Sequence, residues 1–269
     1  MEPPIVFMHI AKTAGSYLNA VFASALGKER CIFHAEASVG LQRNLAANLN
    51  DGVRLFSGHI YLGQWKSMFQ DIGISPIWMT ALRDPVEHIS SHILWLDHYN
   101  QAQFQSEYRA LSLPLRRLVD QIGATDLSHP GQLDFLLTNL SPVGVQHLDN
   151  CQSRYFICQG NDPKKFTPLT LADAPDLRNS LAFFDLVFRQ DRLGSDVQSA
   201  AALTKLPLRP LEGRINGARA SRRIDIENPI IRNVLGKRVL LDQWLWRVVS
   251  GAVGVQKAKS GGTVDTAIF

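Results

Sequence analysis

Cysteine is scarce in this chain: Cys31, Cys151 and Cys158 are the only three in 269 residues. Three cannot all pair, and their spacing fits no common zinc pattern. A disulfide scaffold is therefore excluded and the thiols read as reduced, with a Cys151–Cys158 bridge as the alternative. Long apolar runs are also missing. No stretch reaches the ~18 residues of a membrane span, and Met1-Glu-Pro-Pro enters the first apolar segment without the basic and hydrophobic regions of a signal peptide. A cytoplasmic location is the expectation. Charge of one sign is not in large surplus, since 28 Lys and Arg stand against 24 Asp and Glu. The resulting +4 suits an anionic small molecule and is too scattered for nucleic acid. Internal repeats and low-complexity blocks are absent. What remains, 45% hydrophobic and 19% charged residues, is the composition of a globular protein.

One more absence matters. The Gly-x4-Gly-Lys-Ser/Thr loop of ATP-binding proteins does not occur. In its place stands His9-Ile-Ala-Lys-Thr-Ala-Gly-Ser16. The run Ile5-Val6-Phe7-Met8 before it reads as a buried strand. After it, Leu18, Val21, Phe22, Ala25 and Leu26 recur at helical spacing. Strand, small-residue turn and helix together aim backbone N–H groups and a positive helix end at an anion. Lys12 lies inside that turn. Read alone, the octapeptide is also compatible with an ordinary turn carrying a solvated lysine.

A second strand-to-helix junction follows at Ser75-Pro-Ile-Trp-Met-Thr-Ala-Leu82 and Arg83-Asp-Pro-Val-Glu-His-Ile-Ser-Ser91. Asp84 suits an N-cap, Pro85 the first helical position and Glu87 a capping box. Val86, Ile89, Ile93 and Leu96 mark the buried face. Arg83 is left at the carboxyl end of the strand, where a second anion fits.

The two segments together resemble the sulfotransferases that use 3′-phosphoadenosine 5′-phosphosulfate (PAPS). The likeness is to the branch containing carbohydrate 2-O-sulfotransferases and their bacterial relatives. That branch opens with His-Ile-x-Lys-Thr-Ala-Gly-Thr and later carries Arg-Asp-Pro-x-Glu-Arg-x-x-Ser. Here Ser16 replaces the Thr and His88 the second Arg. Weaker echoes are Asn150-Cys-Gln-Ser-Arg-Tyr155, Phe184–Arg192 and Asp242-Gln-Trp-Leu-Trp246; the whole covers about residues 4 to 248. The resemblance implies sulfuryl transfer from PAPS to an acceptor hydroxyl, that of a saccharide or glycoconjugate, without a metal. The missing membrane anchor of the animal Golgi enzymes points to a soluble bacterial type.

The expected fold is α/β: a P-loop-like parallel sheet flanked by helices on both faces, with a helical insertion. Two βα units stand at 5–27 and 75–98. Between them lie a helix from Ala37 to Asn50, a strand from Gly52 to Gly58 and a helix over 62–71. Residues 99–147 read as the insertion, which either shapes an acceptor pocket or is packing cover. Phe183 to Phe188 is a late strand, Asp191 to Leu206 a helix, and Arg209 to Arg223 a basic loop. A last helix spans 229–249. The domain is set at 1–250, with 251–269 a flexible tail.

Sulfuryl transfer, like phosphoryl transfer, needs positioning and stabilisation of the leaving phosphate. Lys12 is the candidate cation. Thr13, Ala14, Gly15, Ser16 and Tyr17 supply backbone N–H groups to the 5′-phosphate, with hydroxyls from Thr13 and Ser16. Gly15 admits close approach of a ligand. By resemblance Arg83 and Ser91 bind the 3′-phosphate, although Asp84 and Ser91 stand roughly 10 Å apart along an ideal helix. Among eight histidines, His59 ends a strand and matches the branch's Gly-His base; its other reading is a satisfied strand-end histidine. His9 packs the turn. His88 and His92 are solvated or acceptor-facing, and His34, His98, His129 and His147 are surface loop residues. Arg154 either contacts nucleotide or acceptor or ties down the insertion. A P-loop kinase and a non-catalytic nucleotide binder are the competing functions.

Overall fold

A computed structural model describes residues 2–212 and 222–251. Five parallel strands build its sheet: β1 (Ile5–Met8), β2 (Cys31–Ile32), β3 (Leu55–Gly58), β4 (Ile77–Leu82) and β5 (Leu186–Arg189). Their order is β2-β3-β1-β4-β5. The helices are α1 (Gly15–Leu26), α2 (Leu41–Asn50), α3 (Leu62–Asp71), α4 (Pro85–Asp97), α5 (Gln105–Ala110), α6 (Leu113–Ala124) and α7 (Pro130–Thr138). They continue with α8 (Pro142–Leu148), α9 (Cys151–Ile157), α10 (Ala174–Leu181), α11 (Leu193–Thr204), α12 (Pro229–Gly236) and α13 (Leu240–Gly251). No helix of the described residues is long and apolar enough to cross a membrane.

Strand alternation sorts the core into two faces. Val6, Met8 and Phe56 pack with Leu45 of α2, Trp65 and Phe69 of α3, Leu177 of α10 and Leu241 and Leu245 of α13. Ile5, Phe7 and Met79 pack on the opposite face with Leu18 and Phe22 of α1 and Val197 and Ala200 of α11. The central strand β1 is wholly buried, which is why it reads as an unbroken apolar run. From β1 the chain leaves toward β2, whereas from β4 it leaves toward β5. A crevice therefore opens above the carboxyl ends of β1 and β4, where α/β sheets hold ligands.

Residues 99–147 carry four helices, α5 to α8, and belong to a third apolar cluster. Leu118, Val119 and Ile122 of α6 and Leu133 and Leu137 of α7 close over Val86, Ile89, Ile93 and Leu96 of α4, together with Ile231, Val234 and Leu235 of α12. The helix expected over 229–249 is two helices. It breaks after Gly236 because Asn150 reaches in: its Oδ1 accepts the N–H groups of Leu241 and Asp242 at 2.8 and 3.1 Å, capping α13 from a distance. Strand β2 and helices α9 and α10 had no recognisable sequence signal. Most of the basic loop, residues 213–221, and the tail from 252 lie outside the described residues. Of its three described arginines, Arg209, Arg222 and Arg223, Arg222 is ion-paired with Asp97 at 3.0 Å.

Candidate functional site

Register brings the two histidine-bearing strand ends together. Met8 pairs with Gly58, and the His9 N–H donates to the Gly58 carbonyl at 3.0 Å, so His9 and His59 leave the sheet side by side. Their rings lie 4.3 Å apart. His59 Nδ1 is 2.6 Å from the His9 carbonyl oxygen. A carbonyl only accepts, so Nδ1 carries the proton and Nε2 the lone pair. Burial pushes the His59 pKa down, only partly offset by Glu36. Glu36 also accepts the His59 backbone N–H at 2.7 Å. At neutral pH this is an unprotonated imidazole in the tautomer of a base. Glu36 was invisible in the sequence, because 23 residues separate it from its partner and its own surroundings carry no motif.

The loop after β1 turns sharply. Lys12 and Ala14 both have positive φ, 67° and 71°, a conformation that costs non-glycine residues ~1–2 kcal/mol each. Ala14 has no side-chain oxygen to cap α1, and among the described residues no acceptor takes the N–H groups of Ala14, Gly15 or Ser16. Successive free N–H groups at a helix start are an anion nest. Two expected donors are otherwise engaged. The Thr13 hydroxyl is buried and donates to the Ile10 carbonyl at 2.8 Å. The Tyr17 N–H donates to the Ala14 carbonyl at 3.0 Å, and the Tyr17 phenol accepts from the Leu211 N–H at 3.0 Å. Gly15 is also required for a reason within the fold. A Cβ there would lie 1.9 Å from His9 Cδ2, so it is the His9 imidazole that needs the space. Burial lowers the pKa of that imidazole to about 3, and Phe7 stacks on it.

Arg83 emerges from β4 at the head of α4. Asp84 caps this helix through the N–H groups of Val86 and Glu87, at 3.0 and 3.1 Å. Glu87 does not complete a capping box; its carboxylate takes the Arg83 guanidinium at 3.1 Å. Gln152 grips the Arg83 backbone from both sides, accepting its N–H at 2.9 Å and donating to its carbonyl at 3.0 Å. Lys12 has no ion-pair partner among the described residues, and its pKa is lowered by burial and by Arg83.

A cleft of about 1080 Å³ collects Lys12, Ala14, Gly15, Ser16, Tyr17, His59, Arg83 and Ser91, with Gln146 and His147 from the insertion. Thr13 and Arg154 do not line it. Arg154 is 1% exposed, and all five of its N–H donors are committed, to Asp149, Lys164 and Thr167. It holds the chain after α9 and has no donor left for a ligand. Four histidines also depart from expectation. His88 and His92 are buried, not solvated, and of the two only His92 lines the cleft. His147 is largely enclosed, with a pKa lowered to about 4 by burial, and His98 is half-buried against Tyr99. His34 and His129 are exposed. All three cysteines are unpaired, which removes the Cys151–Cys158 alternative.

Family models, characterised proteins and solved structures give no match to this chain.

Proposed function

We propose that the chain is a PAPS-dependent sulfotransferase acting on an acceptor hydroxyl. The observation that carries the reading is the one cleft in which an N–H nest and a lysine, both without partners among the described residues, meet a neutral imidazole. The P-loop-like turn after β1 receives the 5′-phosphosulfate on the N–H groups of Ala14, Gly15 and Ser16. Lys12 offsets charge on the leaving phosphate. Arg83 and Ser91, both on the cleft wall, take the 3′-phosphate. His59 Nε2 removes the acceptor proton as the acceptor oxygen bonds to sulfur. The bond from sulfur to the bridging phosphate oxygen breaks, and 3′-phosphoadenosine 5′-phosphate leaves. Tyr61, Trp95 and Gln146 on the same wall offer the flat faces and hydrogen bonds that suit a saccharide.

Thermal shift separates this reading from a kinase. 3′-Phosphoadenosine 5′-phosphate should stabilise the protein without Mg²⁺. Stabilisation by MgATP alone would favour phosphoryl transfer. Radiolabelled sulfate transfer to a panel of saccharides then tests turnover; nucleotide binding with no transfer to any hydroxyl would leave a binding protein.

A further inference from the structure

His88 and His92 stand one turn apart on α4, against Cys151 at the start of α9. One ligand atom from each lies within 4.8 Å of the other two. The three side chains are buried, at 1%, 2% and 5% exposure. Among the described residues neither ring nitrogen of His92 has a hydrogen-bond partner, although both are sealed from solvent. An imidazole always brings a donor or a lone pair to satisfy, and leaving such a group unpaired in the interior costs ~1–3 kcal/mol. His88 is held differently. Its Nε2 is 2.8 Å from the Ala11 carbonyl oxygen, so Nε2 carries the proton and Nδ1 the lone pair. A far-side N–H anchored on a carbonyl is how metal-binding imidazoles are oriented.

We propose that His88, His92 and Cys151 form a binding site for a zinc-type divalent ion. Two imidazoles and a thiolate are a borderline-soft donor set that suits Zn²⁺. Residues i and i+4 share one helix face, which allows both imidazoles to reach one ion. Binding replaces the Cys151 thiol proton by the metal and releases that proton to solvent. The fourth position opens toward the cleft, since His92 and Cys151 both line it, and a water or a substrate oxygen fills it. His147, whose ring centre lies 5.6 Å from that of His92, borders this opening. Through Ala11 the ion is coupled to the loop that holds Lys12. The site does not depend on the sulfotransferase reading, and the resemblance to that family implies no metal.

A second cluster, His34, Glu36 and His59, also brings ligand atoms together. Its groups are already engaged with one another and with the backbone: Glu36 with His34 at 3.4 Å and with the His59 N–H, and His59 with the His9 carbonyl. Nothing there is left unpaired in the interior.

Cobalt titration of the full chain tests the proposal. The parent protein should take up one equivalent of Co²⁺. It should show a thiolate-to-cobalt charge-transfer band in the near ultraviolet and the intense visible bands of a four-coordinate ion, with Zn²⁺ bleaching both. Cys151→Ser should lose the charge-transfer band, and His92→Gln should bind at least tenfold more weakly. Cys31→Ser, Cys158→Ser and His34→Ala should keep the parent spectrum. A parent that retains no stoichiometric Co²⁺, or whose bound Co²⁺ lacks the thiolate band, overturns the site even if the Cys151→Ser protein does not fold. Loss of the band in Cys31→Ser or Cys158→Ser, or of binding in His34→Ala, would overturn it too.

Discussion

The His59 imidazole is oriented by the His9 carbonyl, and its strand end is held by Glu36. Because burial lowers its pKa, the rate of a base-dependent reaction should rise with pH below ~6.5 and be level above it. His59→Ala should keep the fold and nucleotide affinity and lose roughly 10²–10⁴ in turnover. A rate that does not fall on acidification anywhere the protein stays folded, or near-parent turnover in the variant, would remove His59 from the mechanism. Lys12 combines strain with charge. Lys12→Gly relieves the positive φ, so the protein should fold at least as well, yet turnover should fall by about 10²-fold or more for want of the cation. Steady-state kinetics alongside urea denaturation separates those two effects. Much of this was legible at the residue level, since Lys12, Gly15 and His59 stand out from their motifs. The tautomer of His59 was not legible, because the carbonyl that sets it lies 50 residues away.

Elements place Arg83. Strand β4 delivers it, Asp84 starts α4 beside it, and Gln152 at the head of α9 closes both of its backbone hydrogen bonds. Arg83→Ala should weaken 3′-phosphoadenosine 5′-phosphate at least tenfold while hardly changing the analogue that lacks the 3′-phosphate, given ~1.5–3 kcal/mol for a charged hydrogen bond. Calorimetric titration with both ligands decides; equal losses would assign Arg83 to the fold. Gln152→Ala leaves a backbone donor and acceptor without their partner. It should cost ~1–3 kcal/mol in urea unfolding and weaken the 3′-phosphorylated ligand as Arg83 loses its fixed direction. The segment from Asn150 to Arg154 is thus a buttress. Asn150 caps α13, Gln152 fixes Arg83, Ser153 donates its N–H to Asp242 at 2.7 Å, and Arg154 pairs with Asp149 at 3.0 Å. Sequence spacing alone left Arg154 equally open to a ligand and to the scaffold, since spacing does not reveal which acceptors come within reach.

At the scale of the whole molecule, buried neutral histidines tie stability to pH. His9 is lowered to about 3 and His147 to about 4, each chiefly by burial. The unfolded chain protonates these rings near ~6.5, whereas the folded chain resists until far lower pH. Their stabilisation is complete above ~6.5 and is lost as pH falls toward about 4 for His147 and about 3 for His9. Scanning calorimetry should therefore show Tm falling steadily from pH 7 to pH 5. A Tm unchanged over that interval would mean that these rings are solvated.

The sequence by itself determined the two βα units that carry Lys12 and Arg83, the buried β1 and the N-cap at Asp84. Those features rest on local periodicity and on residues that set their own backbone. Only the tertiary structure decided that Lys12, His59, Arg83 and Ser91 share one cleft, that the insertion wraps α4, and that His88, His92 and Cys151 converge in the interior. Parallel strands place their carboxyl ends together however far apart they lie in the chain, and burial removes from water the groups that a local reading leaves on the surface.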